Sequence, residues 1–222
     1  YELGAEGGLV DFMLAAFGTG ARLKLARGDT TAADRRLAEG LEFARELQLP
    51  RLEAGLLYEQ VRSATMSTEG IDETLAHRVR SQGVHALDGT GDVTAELRED
   101  SQIRLLLGDG QASALTAACT RARTRVDHVD QHKRPRAHLQ ATLQYAFCLA
   151  VAGNTDQAQR VLAPALRTCA ALGLSHLLID EGPQIVRLAQ GTAVQTEGEV
   201  ADPTTSAKLR GFVLNLAEAS SL

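Results

Sequence analysis

The chain has 222 residues, 44% hydrophobic and 23% charged, a soluble globular composition with length for one large or two small cores. It holds 35 Ala and 33 Leu against three Tyr, five Phe and no Trp, which favours helices and excludes a large sheet or a β-sandwich. A net charge of −5 excludes a global positive field that would draw nucleic acid or an anionic membrane.

Apolar periodicity predicts helices near 8–26, 30–48, 51–66, 71–82, 93–107, 111–128, 135–152 and 155–172. In the first, Gly18-Thr19-Gly20 lacks a preceding strand and a following Gly-Lys-Ser/Thr. It therefore suits close helix packing or an uneven helix, not a phosphate loop. Gly83–Asp92, which contains Gly89-Thr90-Gly91, is the least regular connection. The apolar run Leu139–Ala152 is too short to cross a bilayer and is expected to be a buried helix. Pro183 suits the first turn of a helix to about Gln190, with Asp180 or Glu181 at its positive end. Residues 191–203 are polar and are expected to form a linker. A terminal helix over 204–219 presents Leu209, Phe212, Val213 and Leu216. The chain opens at Tyr1 without Met, as expected of a piece of something longer. Cys119, Cys148 and Cys169 each lie in Ala/Leu-rich runs, which suits free thiols in a reducing cytoplasm.

Turn glycines recur at Gly28, Gly70, Gly108 and Gly153, a period near 40 that holds two helices and a short connection. Gly supplies the left-handed end of one helix, and the Asp, Asn or Thr that follows caps the next. Offsetting the chain by 125 residues superposes Gly28 on Gly153, Thr30 on Thr155, Ala33 on Ala158 and Leu37 on Leu162. The same offset superposes Leu41 on Leu166, Leu47 on Leu172 and Leu49 on Leu174. The chain is built from repeats.

This pattern resembles the tetratricopeptide family, which wants a small residue seven before the turn Gly, Ala five after it and a large apolar residue nine after it. Ala21, Ala33 and Leu37 meet this around Gly28, as do Ala146, Ala158 and Leu162 around Gly153. Ser63, Leu75 and Val79 around Gly70 fit less well, as do Ser101, Ser113 and Ala117 around Gly108. Two phrases are more specific. Residues 41–54 (LEFARELQLPRLEA) and 172–183 (LGLSHLLIDEGP) resemble segments of the helical-repeat sensor of MalT-like, LuxR-type bacterial regulators. PknK-type serine/threonine kinases of actinobacteria resemble the same family in their non-kinase region. The resemblance therefore implies a regulatory sensor and interaction domain of a MalT-like, LuxR-type transcriptional regulator, with the regulatory domain of a PknK-type kinase as the alternative. In that family a nucleotide-binding switch precedes the sensor and a helix-turn-helix follows it.

The expected fold is thus all-α: a right-handed tetratricopeptide-like solenoid of about four helix pairs over 1–190, the linker 191–203, and a terminal helix over 204–222 leading to a further domain. In tetratricopeptide proteins the first helix of each pair lines the concave face. The resemblance carries Arg22, Gln60, Arg98, Gln102, Gln140 and Phe147 onto that face, to bind an effector, which is a small molecule or a protein. The other partners implied are further domains of a larger cytoplasmic protein, with DNA reached only through a downstream domain, no direct nucleic-acid contact and no membrane. The same residues also suit a scaffold that docks a peptide.

No catalytic set, metal site or cofactor is expected. His128 and His132 are four apart, but Val129 stands where a zincin needs Glu, and Pro135 limits the helix. Arg121 and Arg125 lie one turn apart in a basic stretch without aromatic platforms, which suits a solvated face.

Overall fold

The computed structural model describes residues 9–67, 70–83, 93–196 and 203–219. Eleven helices and no strand are found among them, so the chain is all-α. They are α1 (9–26), α2 (Thr30–Glu46), α3 (Pro50–Met66), α4 (Glu73–Ser81), α5 (Val93–Asp109), α6 (Ala112–His128), α7 (Pro135–Val151), α8 (Thr155–Leu172), α9 (Ser175–Ile179), α10 (Pro183–Thr196) and α11 (Pro203–Ala219). The chain divides into two compact units, Tyr1–Gly108 and Asp109–Leu222. The glycine loop at 89–91 lies outside the described residues.

In the first unit, α2 packs on both α1 and α3. Asp29 caps α2 through Oδ1, which accepts from Ala32 N at 3.0 Å, and Asp72 caps α4 by accepting from Leu75 N at 2.7 Å. Leu37, Leu41, Leu52, Leu56, Val61 and Val79 form the buried core, with Phe17 and Phe43 packed against it. α1 is uneven, as its glycines suggest: Ala15–Thr19 forms a π-helical turn that inserts one residue. The turn brings Gly18 against α3, where a Cβ would sit 3.5 Å from Glu59 Cγ. Successive first helices lie side by side near the repeat offset. Asp11 pairs with Arg51, Leu14 fills the space over Gly55, and Gly18 faces Glu59.

The turn glycines Gly28, Gly70 and Gly153 adopt positive φ as expected, but the third turn is at Gly110 (φ 69°), not Gly108. Gly108 stays helical because the Ile71 side chain packs on it, 3.3 Å from where a Cβ would be. The register of the next helix moves with the turn: Ala114 and Ala118 are buried, in place of the expected Ser113 and Ala117. Gln48 is the one described non-glycine residue with positive φ (53°), ending α2 where Gly173 (φ 67°) ends α8. Gln48→Gly removes the Cβ clash of the left-handed conformation and loses some unfolded-state restriction. A net gain of about 0.5–1 kcal/mol is expected, read as a higher urea midpoint with an unchanged slope.

In the second unit, α7 packs on α6 and α8, and α8 also packs on α10 and α11. Ala158, Leu162, Leu166 and Cys169 repeat the buried stripe Ala33, Leu37, Leu41 and Ala44. The first residues of the expected linker are helical: α10 starts at Pro183 as anticipated but continues to Thr196, because Ala189, Thr192 and Ala193 are buried. The terminal helix also belongs to this unit, since Leu209, Val213 and Leu216 are buried in it.

None of the three cysteines forms a disulfide, with Cys148 and Cys169 buried and Cys119 half-buried. Burial pushes the Cys169 thiol up to about 11 and raises that of Cys119. Because the thiolate is the nucleophile, native chain at about pH 7 is expected to resist a thiol reagent at Cys148 and Cys169 until it is unfolded. Rapid native labelling of Cys169 would contradict this packing.

Candidate functional site

The central helix of the first unit, α3, is apolar from Ala54 to Val61 but for Tyr58, Glu59 and Gln60. Glu59 is buried and accepts two hydrogen bonds from Arg22, from Nε to Oε2 at 3.0 Å and from Nη2 to Oε1 at 2.5 Å. Arg62, also buried, donates from Nε to Oε2 at 3.1 Å. Burial alone would raise the Glu59 pKa. The Arg22 hydrogen bond and the charges of Arg62 and Arg22 outweigh it and hold the carboxyl below its ordinary value. Arg22 is thereby engaged within the fold.

Beside this cluster, on the face of α3 that carries Gln60, Ser63 and Ser67, a groove of about 460 Å³ opens toward the start of α2 and toward α4. Thr30 and Asp34 come from α2, and Asp72 and Arg78 from the turn before α4 and from α4 itself. Gln60 Oε1 and Arg78 Nε are closed off from solvent and have no hydrogen-bond partner among the described residues. One orphan acceptor and one orphan donor thus stand in the wall of a groove whose other polar groups are carboxylates and hydroxyls, beside Ala64, Gly70 and Leu75. Each such group costs about 1–3 kcal/mol while unmet. A polar ligand that presents both a donor and an acceptor, and that displaces the wall slightly, would meet both. Two carboxylates against one guanidinium favour a ligand that carries positive charge.

The six residues placed on one face from the repeat pattern fall in different settings. Arg22, Gln60, Arg98 and Gln102 belong to the first unit, and Gln140 and Phe147 to the second. Gln60 lines the groove just described, and the other five line neither that groove nor the one of the second unit described below. Arg98 is half-buried with Nε unpartnered among the described residues. Gln102 donates from Nε2 to the Val79 carbonyl at 2.8 Å, so its amide ties α5 to α4. Gln140 is exposed and Phe147 half-buried. Asp34, Asp72 and Arg78 were not singled out from the sequence, and Ser63 only as a small packing residue before the Gly70 turn. Their signal was the cluster of polar side chains around the Gly70 turn, which reads as loop chemistry.

The second unit has a groove of about 380 Å³ with an apolar floor of Leu139, Ala165 and Pro135, edged by His132, His138 and Thr168. α6 ends at His128, whose Nδ1 lies 2.7 Å from the Thr124 carbonyl, so His132 does not share its helical face. Arg125 is not solvated as the basic stretch suggests. It is buried and donates from Nη1 to Gln144 Oε1 at 3.0 Å, because it occupies the repeat position held by Ala44 and Cys169. Among the described residues no three His, Cys, Asp or Glu side chains gather to hold a metal ion, and no helix is long and apolar enough to cross a membrane.

No family model and no solved structure matches the chain. It is similar to the serine/threonine-protein kinase PknK of Mycobacterium tuberculosis, strains CDC 1551 and H37Rv, and of Mycobacterium bovis. Identity is 38% over 182 residues, which is 82% of this chain and 16% of each of those proteins. The chain therefore spans about a sixth of the length of the curated relatives it matches, and its similarity is to one segment of a large kinase.

Proposed function

We propose that this chain is a non-catalytic regulatory segment of a large cytoplasmic signalling protein of the PknK kind, built as a tetratricopeptide-like stack. The single observation that carries this reading is the similarity over most of the chain to a small part of a protein kinase. It moves the weight from a MalT-like transcriptional regulator to the kinase alternative. The segment binds a polar, cation-bearing effector or a partner's side chain in the groove around Gln60 and Arg78. A ligand that favours one arrangement of the helices over another shifts the parent protein between resting and active states, by as much as its affinities for the two differ.

Reading the coding sequence on both sides of this segment tests the proposal. A kinase domain with a His-Arg-Asp catalytic loop is the expected result. A phosphate-binding loop upstream with a basic helix-turn-helix downstream would make the segment the sensor of a transcriptional regulator instead. Neither feature would leave a peptide-docking scaffold.

A further inference from the structure

We infer that the groove between α2, α3 and α4 takes a free basic amino acid, of the lysine or arginine kind. This rests on the groove being the effector site proposed above, and it names the ligand class. Three charged side chains line the groove: Asp34 of α2, Asp72 before α4 and Arg78 of α4. Arg78 pairs with neither carboxylate, and its guanidinium has no hydrogen-bond partner among the described residues. Asp34 is likewise without an ion-pair partner among them. Opposite charges that share a groove without meeting leave a gap, and a molecule that carries both signs bridges it.

The orphan atoms in the wall lead to the same assignment. Arg78 Nε needs an acceptor and Gln60 Oε1 needs a donor, and both are closed off from solvent. A carboxylate supplies the first, in the two-bond geometry that a guanidinium fork favours. An ammonium beside Gln60 and Asp34 supplies the second and gains a counterion. Asp72 Oδ1 already accepts from Leu75 N, so its second oxygen remains to attract a further positive charge. The two carboxylates and the guanidinium are thus mirrored by two cationic groups and one carboxylate, the charge set of a basic amino acid. Ala64 and Leu75 offer apolar surface to its methylenes. The volume of about 460 Å³ suits a small ligand, since small-molecule sites span roughly 300–1,000 Å³.

Calorimetric titration of the 222-residue chain with L-lysine and L-arginine tests this, beside their decarboxylated analogues cadaverine and agmatine and beside L-glutamate. Lysine or arginine is expected to bind. The decarboxylated analogue and glutamate should bind at least about 10-fold more weakly, the scale of one lost charged hydrogen bond. Asp34→Asn and Arg78→Gln should each weaken binding by a similar factor. Neither side chain is in the core, so both variants are expected to keep the wild-type Tm. A diamine that binds as tightly as the amino acid would overturn the assignment and leave a cation-binding groove standing. Glutamate binding as tightly would overturn it together with the preference for positive charge. Binding that either substitution leaves unchanged would overturn it by placing the ligand elsewhere. No binding by any of these compounds would overturn it as well, while the regulatory role of the groove is read separately, from kinase output of the full-length protein.

Discussion

Replacing Glu59 by Gln is expected to destabilise the chain by about 3 kcal/mol, the scale for removing one partner of a buried ion pair. The shape of the side chain is kept, so the loss is electrostatic: Arg62 is buried and Arg22 partly so, and both pair with this carboxylate. The pH dependence follows from the depressed pKa. Unfolded, Glu59 titrates near its ordinary 4.5; folded, it titrates lower. Its contribution is therefore complete above about pH 4.5 and disappears as pH falls through the folded value. Urea unfolding of wild type and Glu59→Gln at neutral pH should show the full gap. The gap should narrow on acidification below 4.5. A constant gap down to the lowest pH would mean that the carboxylate is not what holds the two arginines.

Leu56→Ala is expected to cost about 2–5 kcal/mol, because Leu56 is fully buried and the cavity left would be lined by α2 and α3. The same site makes a second, coupled prediction. A Cβ on Gly40 would lie 2.7 Å from Leu56 Cδ1 and 2.8 Å from Phe17 Cγ. Gly40→Ala should gain about 1 kcal/mol of helix propensity and lose about 1–3 to overpacking, for a net loss. In the double variant the truncated residue 56 no longer opposes the new methyl group, so the two losses should sum to more than the measured total. Simple additivity would show that Phe17 alone sets the spacing of these helices.

Much of the fold was legible because repeats state the same pattern several times. Gly28 and Gly153, Ala33 and Ala158, and Leu37 and Leu162 report one backbone conformation and one buried stripe each. What was not legible depended on which of two equivalent residues tertiary packing selects. Gly108 and Gly110 are both suited to a turn, and only Ile71, 37 residues earlier, assigns the first to close packing. Arg22 was placed on a binding face because its position in the helix is one that the family exposes. Its partner, Glu59, sits in the next repeat and fixes it by charge pairing. Arg125 was misplaced for a related reason. A one-residue shift of register puts it into the stripe that Ala44 and Cys169 fill elsewhere, and Gln144 receives it there. The groove was legible only through Gln60, since Asp34, Asp72 and Arg78 converge through the turn that joins α3 to α4.

The most direct test of a regulatory groove compares phosphoryl transfer by the full-length gene product with that of its Gln60→Leu/Arg78→Leu variant. Both side chains carry a buried polar atom without a partner among the described residues, so apolar replacements are expected to leave stability equal or higher. Removing effector control should change kinase output by about 5-fold or more, the lower end of typical coupling between sites. Equal output from two folded proteins would contradict a regulatory role for the groove, and absence of any phosphoryl transfer would contradict a kinase as the parent.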